Sequence, residues 1–276
     1  MRDRDCVAFL QWALPRLGLR WDGFRRVRGQ IRKRLARRLQ ELGLGDLDAY
    51  RCRLGADRDE WRRLDALCRV TISRFYRDRG VWDELARTWL PESARRASAR
   101  GERELRCWSA GCASGEEPFT LAIVWQLVVG PRLRAPAPAI RILATDADEQ
   151  LLERARRGRY GVSSLRDLPA ALREQCFRPE GRRFVLDPTL RRSVELVRQD
   201  VRVELPDETF DLLLCRNLVF TYYVERLQRE LLGRLLARLA PDGLLVVGIH
   251  ESLPARPAEL TAVDARHGLF LRGERR

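Results

Sequence analysis

The stretch LRCWSAGCASGEEP, residues 105–118, decides the reading of the fold. Leu105–Ala110 has strand character, the small residues from Gly111 to Gly115 form a turn, and a helix follows from Pro118 to about Val128. A strand that runs into small residues and then into a helix lets backbone approach a ligand closely at the strand's carboxyl end. The stretch has neither the GxGxxG of a dinucleotide fold nor the GK[ST] of a P-loop. Glu116 and Glu117 at this helix start disfavour phosphate and suit a cationic ligand. Taken alone, Ser114 and Glu117 also have the spacing of a capping box.

The alternation continues downstream. Ile140–Thr145 reads as a strand ending at Asp146, and Glu149–Arg157 as a helix. Phe210–Cys215 (FDLLLC) is an apolar strand, Glu225–Leu239 a helix, and Gly243–Gly248 (GLLVVG) another buried strand. Strands alternating with helices predict a Rossmann-like, doubly wound α/β sheet, mostly parallel and covered on both faces. Gly158–Asp200 interrupts the pattern. It reads as a small helix-plus-hairpin insertion with strands at Phe184–Leu186 and Val194–Val197.

Upstream the chain reads as helical, with no strand signal before about residue 104. From Trp21 to Leu42, Phe24, Val27, Ile31, Leu35, Leu39 and Leu42 form one buried stripe of an amphipathic helix, and arginines occupy its other faces. Asp46 can cap a short helix containing Leu47, Tyr50 and Leu54, and a further helix fits Asp57 to Cys68. Residues 70–77 read as a connection, followed by a helix with Trp82, Leu85 and Trp89. We expect an all-helical domain over about 1–90 and a ligand-binding domain over 91–276, with a small β-subdomain at about 158–200.

Composition narrows the function. The 276 residues are 45% hydrophobic, enough for a packed core, and no apolar run approaches the ~20 residues that span a bilayer. The charged N-terminus lacks the apolar segment of a signal peptide, so neither export nor membrane insertion is expected. Seven scattered cysteines without a CxxC, and only two histidines, predict a reducing cytoplasm and no metal site. The net charge is +14, and 52 of the 53 basic residues are arginine. Residues 1–100 hold 25 basic and 14 acidic side chains, so the positive field belongs to the first third and suits an acidic partner. No RNA-binding motif accompanies it, and no nucleic-acid partner is expected. Nothing reads as a long heptad coil, so a monomer is expected.

Three carboxyl-edge positions converge: the 111–117 turn, Asp146 after the next strand, and Arg216-Asn217 after FDLLLC. An acid at the end of the second strand commonly holds ribose hydroxyls, although Asp146 and Glu149 also have capping-box spacing.

With VTISRFYRD (70–78), WSAGCASGEEPFT (108–120), ILATDAD (142–148), FDLLLCRNLVFTYY (210–223) and APDGLLVVGIHESL (240–253), the sequence resembles the CheR family from about Cys6 to Phe270. These are S-adenosylmethionine-dependent methyltransferases acting on glutamates of bacterial chemoreceptors. The resemblance implies a class I methyltransferase sheet, S-adenosylmethionine as cofactor without a metal, and a cytoplasmic chemoreceptor domain or another acidic protein as acceptor. Carried over by position, Thr71, Ser73 and Arg77 reach the methionyl end of the cofactor, beside Ala110. Glu117 faces its ammonium and Asp146 its ribose. Asp200 and Val201 lie by the adenine, and Asn217 and Leu218 complete the pocket. The resemblance places Arg77 and Tyr222 at the methyl-transfer site and gives Arg34, Arg37 and Arg38 the receptor-facing role.

Several positions depart from the family pattern. Thr71 replaces an asparagine, Ser73 a threonine, and Thr221 an aromatic with Tyr222 next to it. Gln40 stands at the position of a basic-helix arginine. The subdomain loop near Arg178–Arg183 is shorter than in members that dock a receptor's C-terminal peptide, so no such tether is expected. These departures leave a second reading open, in which fold and cofactor are kept and the acceptor is another protein or a small carboxylate. An RNA methyltransferase or nucleic-acid-binding module is the third.

Overall fold

The chain is helical up to residue 99 because its apolar residues recur at helical spacing and strong caps divide the segments. The computed structural model describes residues 2–70, 72–134, 137–255 and 257–273. Helices α1 (Asp3–Ala13), α2 (Trp21–Phe24), α3 (Arg28–Glu41), α4 (Leu47–Ala56) and α5 (Arg58–Cys68) come first. α6 (Arg79–Glu84) and α7 (Leu90–Ala99) lead into β1 (Glu104–Ala110), α8 (Glu116–Val124), β2 (Ala139–Asp146) and α9 (Glu149–Arg157). β3 (Arg159–Gly161), α10 (Ala170–Cys176), β4 (Phe177–Glu180), β5 (Arg183–Leu186), α11 (Pro188–Arg192) and β6 (Val194–Arg198) follow. β7 (Phe210–Cys215), α12 (Val219–Tyr222), α13 (Glu225–Ala237), β8 (Leu239–Val247), β9 (Leu260–Asp264) and β10 (Leu269–Arg272) close the order.

Two compact units result, one of residues 1–70 with 218–229, the other of 71–217 with 230–276. The division falls after Val70, where the sequence suggested about residue 90. The reason is packing: Phe75, Trp82, Leu85, Leu90 and Ala97 belong to the same apolar cluster as the strands.

In the first unit, Asp46 accepts the amides of Asp48 and Ala49, and Asp57 those of Asp59 and Glu60, so one N-cap separates α3 from α4 and the other α4 from α5. The stripe expected over Trp21–Leu42 is divided by a turn at 25–27 into α2 and α3, and Ile31, Leu35 and Leu39 are its buried face. The turn lets α2 meet α12. A Cβ at Gly23 would stand 2.4 Å from the Thr221 carbonyl oxygen, so only glycine permits that approach.

In the second unit the sheet order is β6-β2-β1-β7-β8-β10-β9. β6, β2, β1, β7 and β8 are parallel, and β10 is antiparallel to both its neighbours. Every residue of β7 is buried, as expected of a central parallel strand. The order reverses between β1 and β7, which opens a crevice at their carboxyl ends. The inserted hairpin differs from the sequence reading. Phe184–Leu186 lies in β5, which pairs with β3 and β4 in a separate three-stranded sheet. Val194–Val197 lies in β6, a parallel edge strand of the main sheet, because its register carries Leu196 alongside Ala144 of β2.

Candidate functional site

The turn after β1 is built on left-handed backbone. Gly111, Ala113 and Gly115 have φ of 78°, 49° and 88°. The Gly111 and Cys112 amides donate to the Thr145 carbonyl at 2.8 and 2.9 Å, which ties the turn to the end of β2. The Ala113 amide donates to Asp146 Oδ2 at 2.8 Å. Asp148, not Asp146, caps α9, accepting the Gln150 and Leu151 amides. Asp146 thereby joins the glycine-rich loop to the start of α9, its Oδ1 accepting the Asp148 amide at 2.8 Å without capping the helix itself. Ser114 does not cap α8 either. Its hydroxyl meets both carboxylate oxygens of Glu116 at 2.9 Å.

Glu117 lies at the first turn of α8, accepting Ser109 Oγ at 2.9 Å and Arg216 Nη1 at 3.3 Å. Burial raises its pKa, and the charges of Arg216 and Arg77 with the Ser109 hydrogen bond oppose the rise. Glu116 is 1% exposed and its pKa is also raised by burial, opposed by the hydroxyls of Ser114 and Ser73 and the charge of Arg154.

The connection before α6 reaches this corner through the Tyr76 amide, which donates to Thr120 Oγ1 on α8 at 3.0 Å. Tyr76 and Asp78 both have positive φ, 58° and 59°, so the chain bends sharply around Arg77. Arg216, directly after β7, holds that bend. Its Nη2 donates to Asp78 Oδ2 at 2.7 Å and to the Arg77 carbonyl at 3.0 Å, with the guanidinium over the Trp82 ring. Among the described residues, the buried Arg216 Nε has no hydrogen-bond partner. Asn217 is left-handed at φ 56°. Its amide donates to Glu251 Oε2 at 2.8 Å, an oxygen that also accepts the Gly248 amide at 2.6 Å.

Ser73, Arg77 and Asn217 on loops, Ala110 and Asp146 at strand ends and Glu117 on the first turn of α8 therefore border one sheet edge. Asp200 and Val201 follow β6 on that edge, where the Gln199 amide meets the Asp146 carbonyl at 3.0 Å. The Asp200 carboxylate pairs with Arg202 at 2.7 Å, and Val201 is buried. Thr71 lies outside the described residues. Leu218 and Tyr222 belong to the first unit, where the Tyr222 ring packs on Phe24 with centroids 5.1 Å apart.

The arginines singled out on α3 divide. Arg38 binds Glu60 through two contacts of 3.0 and 2.6 Å, and Glu60 is 2% exposed and also accepts the Tyr50 hydroxyl at 2.6 Å. Arg34 donates to the carbonyls of Leu67 and Arg69. Both are consumed inside their unit, because a buried acid and exposed helix-end carbonyls need donors. Arg37 projects, with its side chain 71% exposed and paired only loosely, at 3.6 Å, with the half-exposed Glu41 one turn on. Sequence reasoning gave no role to Glu251 or Glu60, and it read Glu116 only as an acid at the helix start that suits a cation. From the residues alone Arg216 and Asn217 were legible only as polar residues after an apolar strand; the family resemblance gave Asn217 a place in the pocket and Arg216 no role.

A switch-point crevice walled by buried and half-buried acids defines the doubly wound class that holds nucleotide-like cofactors. The family model for the CheR methyltransferase, SAM binding domain, matches residues 71–269. A chemotaxis protein methyltransferase of Salmonella typhimurium is 33% identical over 82% of this chain and 76% of its own length. That of Listeria monocytogenes is 32% identical over 68% of each. An uncharacterised 104.1 kDa protein of Rhodobacter capsulatus is 28% identical over 88% of this chain, which spans 25% of that protein's length. The chain belongs to the CheR methyltransferase family, and its chemistry is S-adenosylmethionine-dependent methyl transfer.

Proposed function

We propose that the protein moves the methyl group of S-adenosylmethionine to glutamate side-chain carboxylates of a protein, in cytoplasmic segments of chemoreceptors. The relatives' name, chemotaxis protein methyltransferase, supports the acceptor. The observation that carries the reading is the half-buried Glu117 carboxylate, held by Arg216 and Ser109 at the carboxyl end of β1.

The donor set fits the cofactor's chemistry. An anion at Glu117 suits an ammonium, and the Asp146 carboxylate beside the Ala113 turn suits ribose hydroxyls. Ser73 and Arg77 suit the methionyl end, Ala110 leaves room at the strand end, Asp200 and Val201 border the adenine, and Asn217 completes the pocket. When bound, the cofactor supplies a methyl group activated by a sulfonium.

A glutamate acceptor with a reference pKa of about 4.3 is ionised at neutral pH, so this chain need not provide a general base. What it must provide is alignment and exclusion of water. The Arg216 bridge fixes the bend at Asp78 and so the backbone of Arg77, whose guanidinium orients a carboxylate. Arg37 is the projecting charge of α3 that meets an acidic acceptor. β4 and β5 are joined by only Gly181 and Arg182, a turn too short for a docking loop, and the reading includes no peptide tether.

Transfer of labelled methyl from S-adenosylmethionine to membranes containing chemoreceptors tests the proposal. Label on receptor bands that base releases as methanol is the expected result. Cofactor binding without receptor label would move the acceptor to another carboxylate.

A further inference from the structure

Outside the crevice, six guanidinium groups converge on one concavity. A cleft of about 1020 Å³ is lined by Arg154, Arg156, Arg157, Arg159, Arg183 and Arg191. They come from four elements: the last turns of α9, the start of β3, the start of β5, and α11.

Three of the six are compensated at the rim, Arg156 by Glu149 at 2.6 Å, Arg157 by Glu153 at 3.1 Å and Arg159 by Glu180 at 2.9 Å. Among the described residues, the side chains of Arg154 and Arg183 make no ion pair or hydrogen bond. Arg191 donates only to the Arg157 carbonyl, at 3.1 Å. That bond aims it along the cleft wall. Its stem passes so close to the backbone that a Cβ at Gly158 would meet Arg191 Cδ at 3.1 Å.

We propose that this cleft is a binding site for a compact anion carrying two or more phosphate groups, separate from the methyl-transfer crevice. The guanidinium fork matches phosphate oxygens two at a time, and several forks around one concavity suit an anion of high charge density. The lining offers no aromatic face for a base and no apolar pocket for a peptide anchor, so the phosphates themselves are what it reads. Its separation follows from α9. Asp148 caps one end of that helix beside the Asp146 corner, and Arg154, Arg156 and Arg157 lie six to nine residues further on, about 9–13 Å along the axis, with Arg154 the nearest and close enough for its charge to act on Glu116. Crowded like charges also make the empty cleft a local liability, which a bound anion relieves, so occupancy raises thermal stability.

The test is thermal melting of the full chain with sodium tripolyphosphate, inorganic phosphate, sulfate and a polyglutamate peptide, all at one ionic strength. The site predicts a saturable rise in Tm with tripolyphosphate at least tenfold lower in concentration than with phosphate or sulfate. Arg183→Glu, an exposed strand-end change, should weaken that response tenfold or more, and Arg183→Gln to a lesser degree. S-adenosylmethionine binding, measured on the same samples, should stay at the wild-type value in both. Equal responses to tripolyphosphate and sulfate would overturn the proposal, as would an unaltered response in Arg183→Glu. Polyglutamate acting as well as tripolyphosphate would replace the phosphate site with an acidic-peptide surface.

Discussion

Arg216 Nη1 lies 3.3 Å from Glu117 Oε2, joining the loop after β7 to the first turn of α8 through a guanidinium whose side chain is 2% exposed. The same group holds Asp78 at 2.7 Å. One buried cation thus compensates two acids from different loops, and the crevice wall has its shape because of that compensation.

Removing the cation leaves both acids without their partner. Arg216→Ala should destabilise the second unit by about 3–5 kcal/mol, as expected when one member of a buried ion pair is deleted. Arg216→Lys keeps the charge but cannot span two carboxylates and the Arg77 carbonyl, so its loss should be intermediate. Urea midpoints of the three proteins check the order, and an Arg216→Ala midpoint equal to wild type would remove the bridge from the account.

Glu116 gives a pH signature. Burial raises its folded-state pKa above the ordinary 4.5. The folded chain then keeps a proton that the unfolded chain has lost. Stability contributed by this group falls as pH rises from about 4.5 through the raised value. Glu116→Gln removes the titration. The variant should be more stable than wild type at pH 8 and gain nothing near pH 4. Parallel denaturant curves at the two pH values read the difference.

Asp146 and Asp148 separate binding from capping. Asp148→Ala removes an N-cap and should cost about 1 kcal/mol of stability with little change in cofactor affinity. Asp146→Ala should weaken S-adenosylmethionine binding tenfold or more, consistent with ~1.5–3 kcal/mol for a hydrogen bond to a charged group. Calorimetric titration distinguishes them, and an unchanged Kd for Asp146→Ala would end the ribose assignment.

On α3, neighbouring arginines should behave oppositely. Arg38→Ala strands the buried Glu60 and should lower stability by roughly 3 kcal/mol. Arg37→Ala should leave the melting curve unchanged but raise KM for the acceptor, with an effect that shrinks in high salt. Equal consequences for the two changes would contradict the division.

Much of this was legible in one dimension. The strand-turn-helix of 105–118, the alternation after it, the cap at Asp46, the helix starting near Asp57 and the acids at 117 and 146 are local patterns, and local patterns are what a sequence writes directly. The helical stripe was legible too, but its break at 25–27 was not, because the close pass of Thr221 that requires Gly23 comes from residues about two hundred positions away. The assignment of Val194–Val197 failed for a related reason. A short apolar run has strand character whichever sheet it joins, and only pairing with β2 decides.

The amino-acid sequence by itself determined the fold class, the carboxyl-edge location of the crevice and its acidic character, since these follow from periodicity, small residues and charge along the chain. Tertiary structure alone decided which charges are spent and which are offered. Arg38 and Arg34 are consumed in their unit while Arg37 projects, Arg216 neutralises two acids, and six arginines from four elements face one cleft. The physical reason is that a charge's role depends on its solvation and on the opposite charge it meets. Both are fixed by contacts between residues far apart in the chain.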